Sequence, residues 1–529
     1  MISNRKIVVF TGDLSQSVRE GIVEIDTSVP GLSWLVVVQS PARTWKILLR
    51  NQWRNLRRNG WRWVPYQIGD AVRRFAAKSP VSISGGIPGH EFELKLLEAR
   101  PNISFLRVTN LHREPTLIAV KAFKADLGLS LAAPILRPSL FSLPRMGTLN
   151  LHKGKVPQYR GMPPAFWELW NDEQSLGCTV HRVDEHLDTG NVVLSAEVAR
   201  HSFSSLRGLQ LCLDQAGVDL MREAVVAVFQ NTATEYPQQQ GGKTYRKPTL
   251  QQIAALDHKL SKNQDMADLT PKGIVKELVF GCVTALWHLG LWRFLKPRAT
   301  VLLYHRVSDD TRDNVTVGIE QFDRQMAMLR KHCQVVSIDQ LAAWYSVPRS
   351  NQPLVCVTFD DGYLDNYLYA VPILRRHGIA AAFFVSTGIV GTSGPFPHDV
   401  KRGKSPPTMN WEQLRRMHHF GFTIGSHTVS HIDCAAEPED VVVEELTRSI
   451  ADLRRELNLR DVMLAYPYGG RQNMTSERLE LVKRAGYTAC LSAYGGVNIG
   501  KIDRFNILRG GIHCGFSDRA FRARCVGFA

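Results

Sequence analysis

The chain has 529 residues, too many for one hydrophobic core, and its 44% hydrophobic and 22% charged content is that of a folded protein rather than a disordered or fibrous one. Lysine and arginine number 65 against 49 aspartates and glutamates, a net charge of +16 that favours anionic partners such as nucleic acid, phospholipid head groups or phosphorylated substrates and is silent about fold. No apolar run approaches the roughly 18 residues of a spanning helix, and nine scattered cysteines without a CxxC pair fit a reducing compartment rather than a disulfide scaffold or zinc knuckle.

Ile7–Phe10 is too short an apolar run for a secretory signal and is expected to be a first buried strand, and the scattered cysteines make the cytoplasm the expected compartment. Further short β-rich runs follow at Leu35–Val38, Ser104–Val108, Thr116–Val120 and Gly147–Leu151, with a helical pattern at His90–Glu98. Strands alternating with helices predict a mostly parallel α/β sheet. Residues 41–69 carry Arg43, Lys46, Arg50, Arg54, Arg57, Arg58 and Arg62 and no acidic residue. On a helix the cations at 43, 46, 50, 54 and 57 share one side, and Trp45, Leu49, Trp53 and Leu56 another. Such a helix either packs its Trp/Leu face on the sheet or docks anionic lipid head groups or a phosphorylated substrate; nucleic acid is a third partner it suits. Gly85-Gly86-Ile87-Pro88-Gly89 lacks the Lys-Ser/Thr of a P-loop and is not read as a nucleotide site.

Thr232–Arg246 is polar and turn-rich and is expected to lead out of the first domain. Gly273–Leu295, interrupted by His288, is a helix packed between domains or lying on a membrane surface with Trp287 and Trp292 at the interface. A second α/β stretch begins near Thr300, with strand candidates Val301–Tyr304, Leu354–Phe359, Ala380–Val385 and Phe422–Ile424 and helices at Gln321–Lys331 and Val441–Leu457.

Asn150 and His152 end the predicted strand Gly147–Leu151, where open α/β sheets place their ligand sites. Asp188-Thr189-Gly190 forms a tight turn between two later β-rich segments. Together these residues suit acyl transfer to an amine. The Asn150 carboxamide can donate to the oxyanion formed at a formyl carbonyl, His152 can relay the amine proton, and Asp188 can orient His152 or stabilise its charged form. Gly147–His152, then Pro157-Gln158-Tyr159-Arg160-Gly161, then Gly177–His181 and Asp188-Thr189-Gly190 resemble the folate-dependent formyltransferase family. The resemblance implies a Rossmann-like fold, 10-formyltetrahydrofolate as donor, and catalytic Asn150, His152 and Asp188. Gly154-Lys155-Val156-Pro157 replaces a serine-leucine-leucine-proline run of the family, of which only the proline remains.

Leu354–Phe359 terminates in Asp360-Asp361-Gly362, and adjacent carboxylates after an apolar strand call for a cation or a paired acid–base site. His427 and His431 are spaced to meet on a helical turn and bind one ion with a carboxylate, leaving positions open for water and substrate. These motifs, with Tyr304-His305-Arg306-Val307 and Tyr466-Pro467-Tyr468-Gly469, resemble the polysaccharide deacetylase (NodB homology) family from about Thr300 to Arg509. The resemblance implies a (β/α) barrel, a divalent metal such as zinc on Asp361, His427 and His431, Asp360 as general base, Tyr468 as oxyanion donor through its backbone amide, and His305 beside the metal. Ala465 stands where the family commonly has an arginine orienting the base. The late leucine-x-histidine that supplies a general acid has no clean match; His513 is the candidate.

The expected architecture is therefore a formyltransferase-like domain at 1–245, a linker with an apolar helix at 246–298, and a deacetylase domain at 299–529. Both chemistries act on the nitrogen of an amino sugar, so the expectation is a bifunctional tailoring enzyme. Its substrate would be a nucleotide- or lipid-phosphate-linked amino sugar, met in the cytoplasm or at the inner face of the membrane. Nucleic acid recedes as a partner. A methionyl-tRNA formyltransferase and a membrane-docked protein with an inactive site are the alternatives.

Overall fold

The computed structural model describes residues 5–40, 45–60, 64, 94, 97–200, 205–239, 241–261, 280, 290, 296–392, 396–400, 403 and 405–528. Gly85–Gly89, the body of Gly273–Leu295 and most of His90–Glu98 lie outside these residues. The described chain up to Ser261 forms one compact unit and that from Lys296 a second.

In the first unit, β1 (Lys6–Thr11), β2 (Ser33–Gln39), β3 (Ile103–Val108), β4 (Leu127–Ser130) and β5 (Thr148–His152) run parallel in the order β3-β2-β1-β4-β5. After β6 (Tyr159–Gly161), β7 (Ser175–Arg182) and β8 (Val192–Ala199) extend the sheet antiparallel. The uninterrupted apolar runs of β1 and β2 follow from burial on both faces. Ile7 and Val9 face a core with Val18, Ile22 and Ile25 of α1 (Gln16–Ser28), whereas Val8 and Phe10 face a second core with Leu111, Val120 and Leu140.

Two local expectations are corrected. Thr116–Val120 is not a strand but part of a helix, Glu114–Phe123, opened by Pro115 in its first turn. Its buried Thr116 and Val120 are four apart, a helical spacing that a β-rich composition hid. The strand in this region is β4, paired with β1. The basic segment does form a helix, α2 (Trp45–Asn59), but Leu49 and Trp53 are 50% and 58% exposed, so these two do not pack on the sheet. Arg57 lies over the Trp53 ring at 5.2 Å, and Asn59 Oδ1 accepts the Leu250 N–H at 3.0 Å. Thr232–Arg246 does more than lead away from the domain: its β9 (Lys243–Tyr245) pairs in parallel with β6.

In the second unit, β10 (Arg298–Tyr304), β11 (Leu354–Phe359), β12 (Ala382–Val385), β13 (Thr423–Ser426), β14 (Met463–Ala465) and β15 (Ala489–Leu491) pair in parallel succession with helices between them. Leu491 then bridges Ile507, and β16 (Gly510–Gly511) pairs with Leu302 and Leu303 of β10. The sheet is thereby carried round to its first strand, as a (β/α) barrel requires. Its interior packs Val301, Cys356, Phe384, Ala465 and Leu491, all buried. Among the described residues no helix is long and apolar enough to cross a membrane.

Candidate active sites

β5 delivers Asn150 and His152, two apart and so on one face, to the carboxyl end of the parallel strands. Antiparallel pairing with β7 sets His181 opposite Asn150. Asp188 sits in the turn after β7 with φ +54°, a left-handed conformation that aspartate tolerates. Asn150 Nδ2 donates to His181 Nε2 at 3.1 Å and to Asp188 Oδ1 at 3.4 Å. His152 presents Nδ1 to Asp188 Oδ2 at 3.4 Å, while its Nε2–H donates to the Tyr159 carbonyl at 2.7 Å. A Cβ on Gly154 would come within 2.6 Å of that same Nε2, so the position needs glycine. The Gly161 amide donates to Asp188 Oδ2 at 3.0 Å, and Arg160 and Gln238 donate to the Asp188 carbonyl at 3.1 and 3.0 Å. Gln238 comes from the polar stretch that the sequence marked only as a domain exit.

Burial lowers the His152 pKa below its usual 6.5, outweighing the opposing pull of Asp188. Burial pushes Asp188 upward, but the close His181 and His152 rings and the Gly161 amide together hold its carboxyl below the usual range. At neutral pH the arrangement is therefore an imidazole beside a carboxylate. His181 was part of the motif in the sequence but was not singled out. It donates Nδ1–H to the Arg182 carbonyl at 2.7 Å and so turns an accepting Nε2 toward Asn150. Only the strand register, invisible in the sequence, places it there.

In the second unit Asp360 and Asp361 follow β11, and His427 follows β13, at the same end of the barrel. The two histidines do not meet on a helical turn as their spacing suggested. The chain bends instead through left-handed residues, with φ +63° at Thr428 and +59° at His431. Donor atoms of Asp361, His427 and His431 all lie within 4.8 Å of one another, and all three residues are buried. Asp361 Oδ1 is 3.5 Å from His427 Nε2 and 3.4 Å from His431 Nε2. His427 donates Nδ1–H to the Ala465 carbonyl at 2.6 Å, which leaves Nε2 bare toward the cluster. Burial pulls the His427 pKa down to about 4, so it is neutral at pH 7. Burial opposes ionisation of Asp361, yet the close approach and charge of His431, with His305 and His427, hold it well below the carboxylate range. Asp361 Oδ1 and His431 Nδ1 are buried without a hydrogen-bond partner among the described residues. Such orphans cost about 1–3 kcal/mol each. One oxygen and two imidazoles that need a cation fit a divalent metal.

Asp360 is gripped by a fully buried arginine. Arg509 donates Nη1–H to Asp360 Oδ1 and Nη2–H to Oδ2, both at 2.7 Å, and its Nε–H to the Ser492 carbonyl at 2.7 Å. This is the contact expected of the arginine that Ala465 replaces, and it comes from the segment that closes the barrel. Burial raises the Asp360 pKa, but the Arg509 charge and its hydrogen bonds outweigh it and keep the carboxylate ionised.

His305 follows β10, half-buried, and its charge acts on Asp360 and Asp361. Tyr468 has φ +59° and sets its ring 5.0 Å from that of His431. The contacts of His513 are to the Gly515 amide and the Phe516 ring rather than to the cluster. A histidine that no motif flagged stands closer. His398, on the short helix Pro397–Val400, lies 3.8 Å from Asp361 Oδ2 and donates Nε2–H to the Tyr363 hydroxyl at 2.9 Å, which in turn donates to Asp399 at 2.7 Å.

The chain matches the formyl transferase family model over residues 84–225 and the polysaccharide deacetylase family model over residues 348–490. It joins a formyl transferase domain to a polysaccharide deacetylase domain. The first domain is similar to a methionyl-tRNA formyltransferase of Flavobacterium psychrophilum, 32% identical over 126 residues that cover 24% of this chain and 40% of that one. The chain spans about half or less of the length of the curated relatives it matches. Among solved structures it is similar to the deacetylase PplD of Streptococcus pyogenes, with a TM-score of 0.36 and 22% identity over 43% of this chain and 97% of that one. It is also similar to a sugar N-formyltransferase of Shewanella, with a TM-score of 0.31 and 13% identity over 51% of this chain and 94% of that one.

Two variants separate the candidate metal site of the deacetylase domain from its clamped carboxylate. His427→Ala should strip tightly bound divalent metal from the purified full chain, measured by elemental mass spectrometry. Arg509→Met should retain the metal and lower N-deacylation turnover about a hundredfold, because the base is no longer held or kept ionised.

Proposed function

We propose that the chain is a bifunctional amino-sugar tailoring enzyme that transfers a formyl group to a sugar amine and hydrolyses an N-acyl group, acetyl or formyl, from a sugar nitrogen. The observation that supports it is the presence in one chain of two buried constellations suited to acyl chemistry at nitrogen. In the first, Asp188 is shared by Asn150 and His152. In the second, Arg509-held Asp360 stands next in the chain to the Asp361–His427–His431 cluster.

In the formyl transferase domain, 10-formyltetrahydrofolate would supply the formyl carbonyl. Asn150 donates an N–H to the oxygen on which negative charge develops, giving up its longer bond to Asp188. His152, neutral because it is buried, accepts the amine proton at Nδ1, since its Nε2–H is already committed to Tyr159. Asp188 then stabilises the imidazolium. In the deacetylase domain, a divalent metal held by Asp361, His427 and His431 would supply Lewis acidity to an acyl carbonyl and a water. Asp360 takes a proton from the attacking water, and the Arg509 clamp fixes the direction of its lone pairs. His305 and Tyr468 would serve the same site, Tyr468 offering its backbone amide to the acyl oxygen.

A second reading gives the first domain initiator tRNA as acceptor; the names of its curated relatives favour it, as does the charge of +16. The deacetylase domain favours the sugar, since an N-deacylase has no role in formylating a tRNA. Competition decides between them: with both acceptors present, the full chain should formylate an amino sugar in preference to charged initiator tRNA, and the reverse preference would sink the sugar reading.

Asn150→Ala should lower formyl transfer at least a hundredfold without touching deacylation, read by separate product assays. The pH profile carries a sign. A base whose pKa is lowered stays neutral to lower pH, so the acid limb of formyl transfer should fall below pH 6.5, the unperturbed imidazole value. Asp188→Asn removes the charge that raises His152 and should move that limb lower still.

A further inference from the structure

The basic helix α2 takes no part in either proposed reaction, yet its two sides are sharply different. Successive helical residues turn by about 100°. Leu49, Trp53, Arg57, Arg50, Arg54 and Arg58 therefore follow one another round one half of α2, and Asn55, Leu56 and Asn59 lie together on the other. Burial divides the helix the same way: the first six are exposed and the last three half-buried. The domain holds the neutral side, where Asn59 Oδ1 accepts the Leu250 N–H and Asn59 Nδ2 donates to the Asn55 carbonyl, both at 3.0 Å.

The outward half is cationic with an apolar edge. Leu49 and Trp53, one turn apart, are 50% and 58% exposed, and the Arg57 guanidinium lies 5.2 Å over the Trp53 ring. Residues 41–69 contain no Asp or Glu, and among the described residues Arg50, Arg54, Arg57 and Arg58 pair with no carboxylate. At Arg58 the surface passes into a cleft of about 430 Å³ whose rim adds exposed Lys243, Arg246 and Lys247.

Unpaired arginines beside bare Leu and Trp side chains suit the boundary between water and hydrocarbon. There the apolar edge enters the acyl region while the guanidiniums stay level with lipid phosphates. Charge complementarity makes that lipid anionic. A nucleic acid would use the arginines and stack on Trp53 but leave Leu49 in water. A small phosphorylated molecule would engage one or two arginines of a 15-residue helix about 22 Å long.

We propose that α2 docks the chain on a bilayer containing anionic phospholipid, lying in the plane of the interface with Leu49 and Trp53 inserted and the arginine arc on the phosphates. The docking depends on neither reaction.

Flotation of the full chain with vesicles of mixed phosphatidylglycerol and phosphatidylcholine, against vesicles of phosphatidylcholine alone, tests it. The mixed vesicles should bind at least tenfold more tightly, and added salt should weaken that binding. Arg50→Glu with Arg54→Glu should weaken it at least tenfold. Leu49→Ser with Trp53→Ser should weaken it at least fivefold, with the charge untouched. All four side chains are exposed, so the thermal midpoints of both variants should match wild type. Equal binding to the two kinds of vesicle would overturn the proposal. So would variants that float like wild type, which would move the docking to another part of the chain. Failure to float, with transfer RNA bound instead and the Leu49/Trp53 variant no weaker than wild type, would overturn it in favour of nucleic acid.

Discussion

A carboxylate sealed inside a barrel must be paired, and the second site depends on the pairing of Asp360 with Arg509. Both side chains are almost wholly inaccessible, at 2% and 0% exposure, and two parallel hydrogen bonds of 2.7 Å join them. Removing either partner would leave an uncompensated buried charge, a loss of about 3–5 kcal/mol. Arg509 reaches Asp360 because Leu491 bridges Ile507 and β16 pairs with β10. The pairing that brings the last strand against β10 therefore also brings Arg509 to the Asp360 that follows β11.

The formyl transferase domain solves the same problem differently. Among the described residues no arginine pairs with the Asp188 carboxylate. It accepts an amide proton from Gly161 and the carboxamide of Asn150, with the His152 and His181 rings 3.4 and 3.5 Å away. Neutral donors and titratable rings leave the carboxylate able to respond when a proton moves onto His152, whereas the Arg509 charge favours the ionised form of Asp360. The contrast matches the work proposed for each: proton relay beside a formyl carbonyl in one case, a fixed base beside a candidate metal site in the other. Both sites lie where parallel strands end, because only there do short loops carry polar groups over an apolar core.

Much of this was legible in the sequence wherever a residue's neighbours in space are also neighbours in the chain. Asn150 and His152 on one strand, and Asp360 and Asp361 after another, were found by local pattern. His431 was found for a partly mistaken reason, since its spacing from His427 suggested a helix and the chain instead uses left-handed turns. The residues that escaped are those brought in from afar. Arg509 lies 149 residues from Asp360, Gln238 lies 50 from Asp188, and His181 meets Asn150 through antiparallel register. His398 belongs to a connecting segment with no motif at all. Thr116–Val120 failed as a strand because Pro115 opens a helix there, which outweighed the β-branched composition.

The central claim is that one chain removes an acyl group from a sugar nitrogen and can place a formyl group on one. Its most direct measurement is mass spectrometry of a nucleotide-linked N-acetylated amino sugar incubated with the full chain, a divalent metal and 10-formyltetrahydrofolate. The account predicts release of acetate and appearance of the N-formyl sugar. It further predicts accumulation of the free amine when Asn150 is replaced by Ala, and no change in the sugar when Asp360 is replaced by Ala. Deacetylation that persists without Asp360, or a free amino sugar that the wild-type chain never formylates, would contradict it.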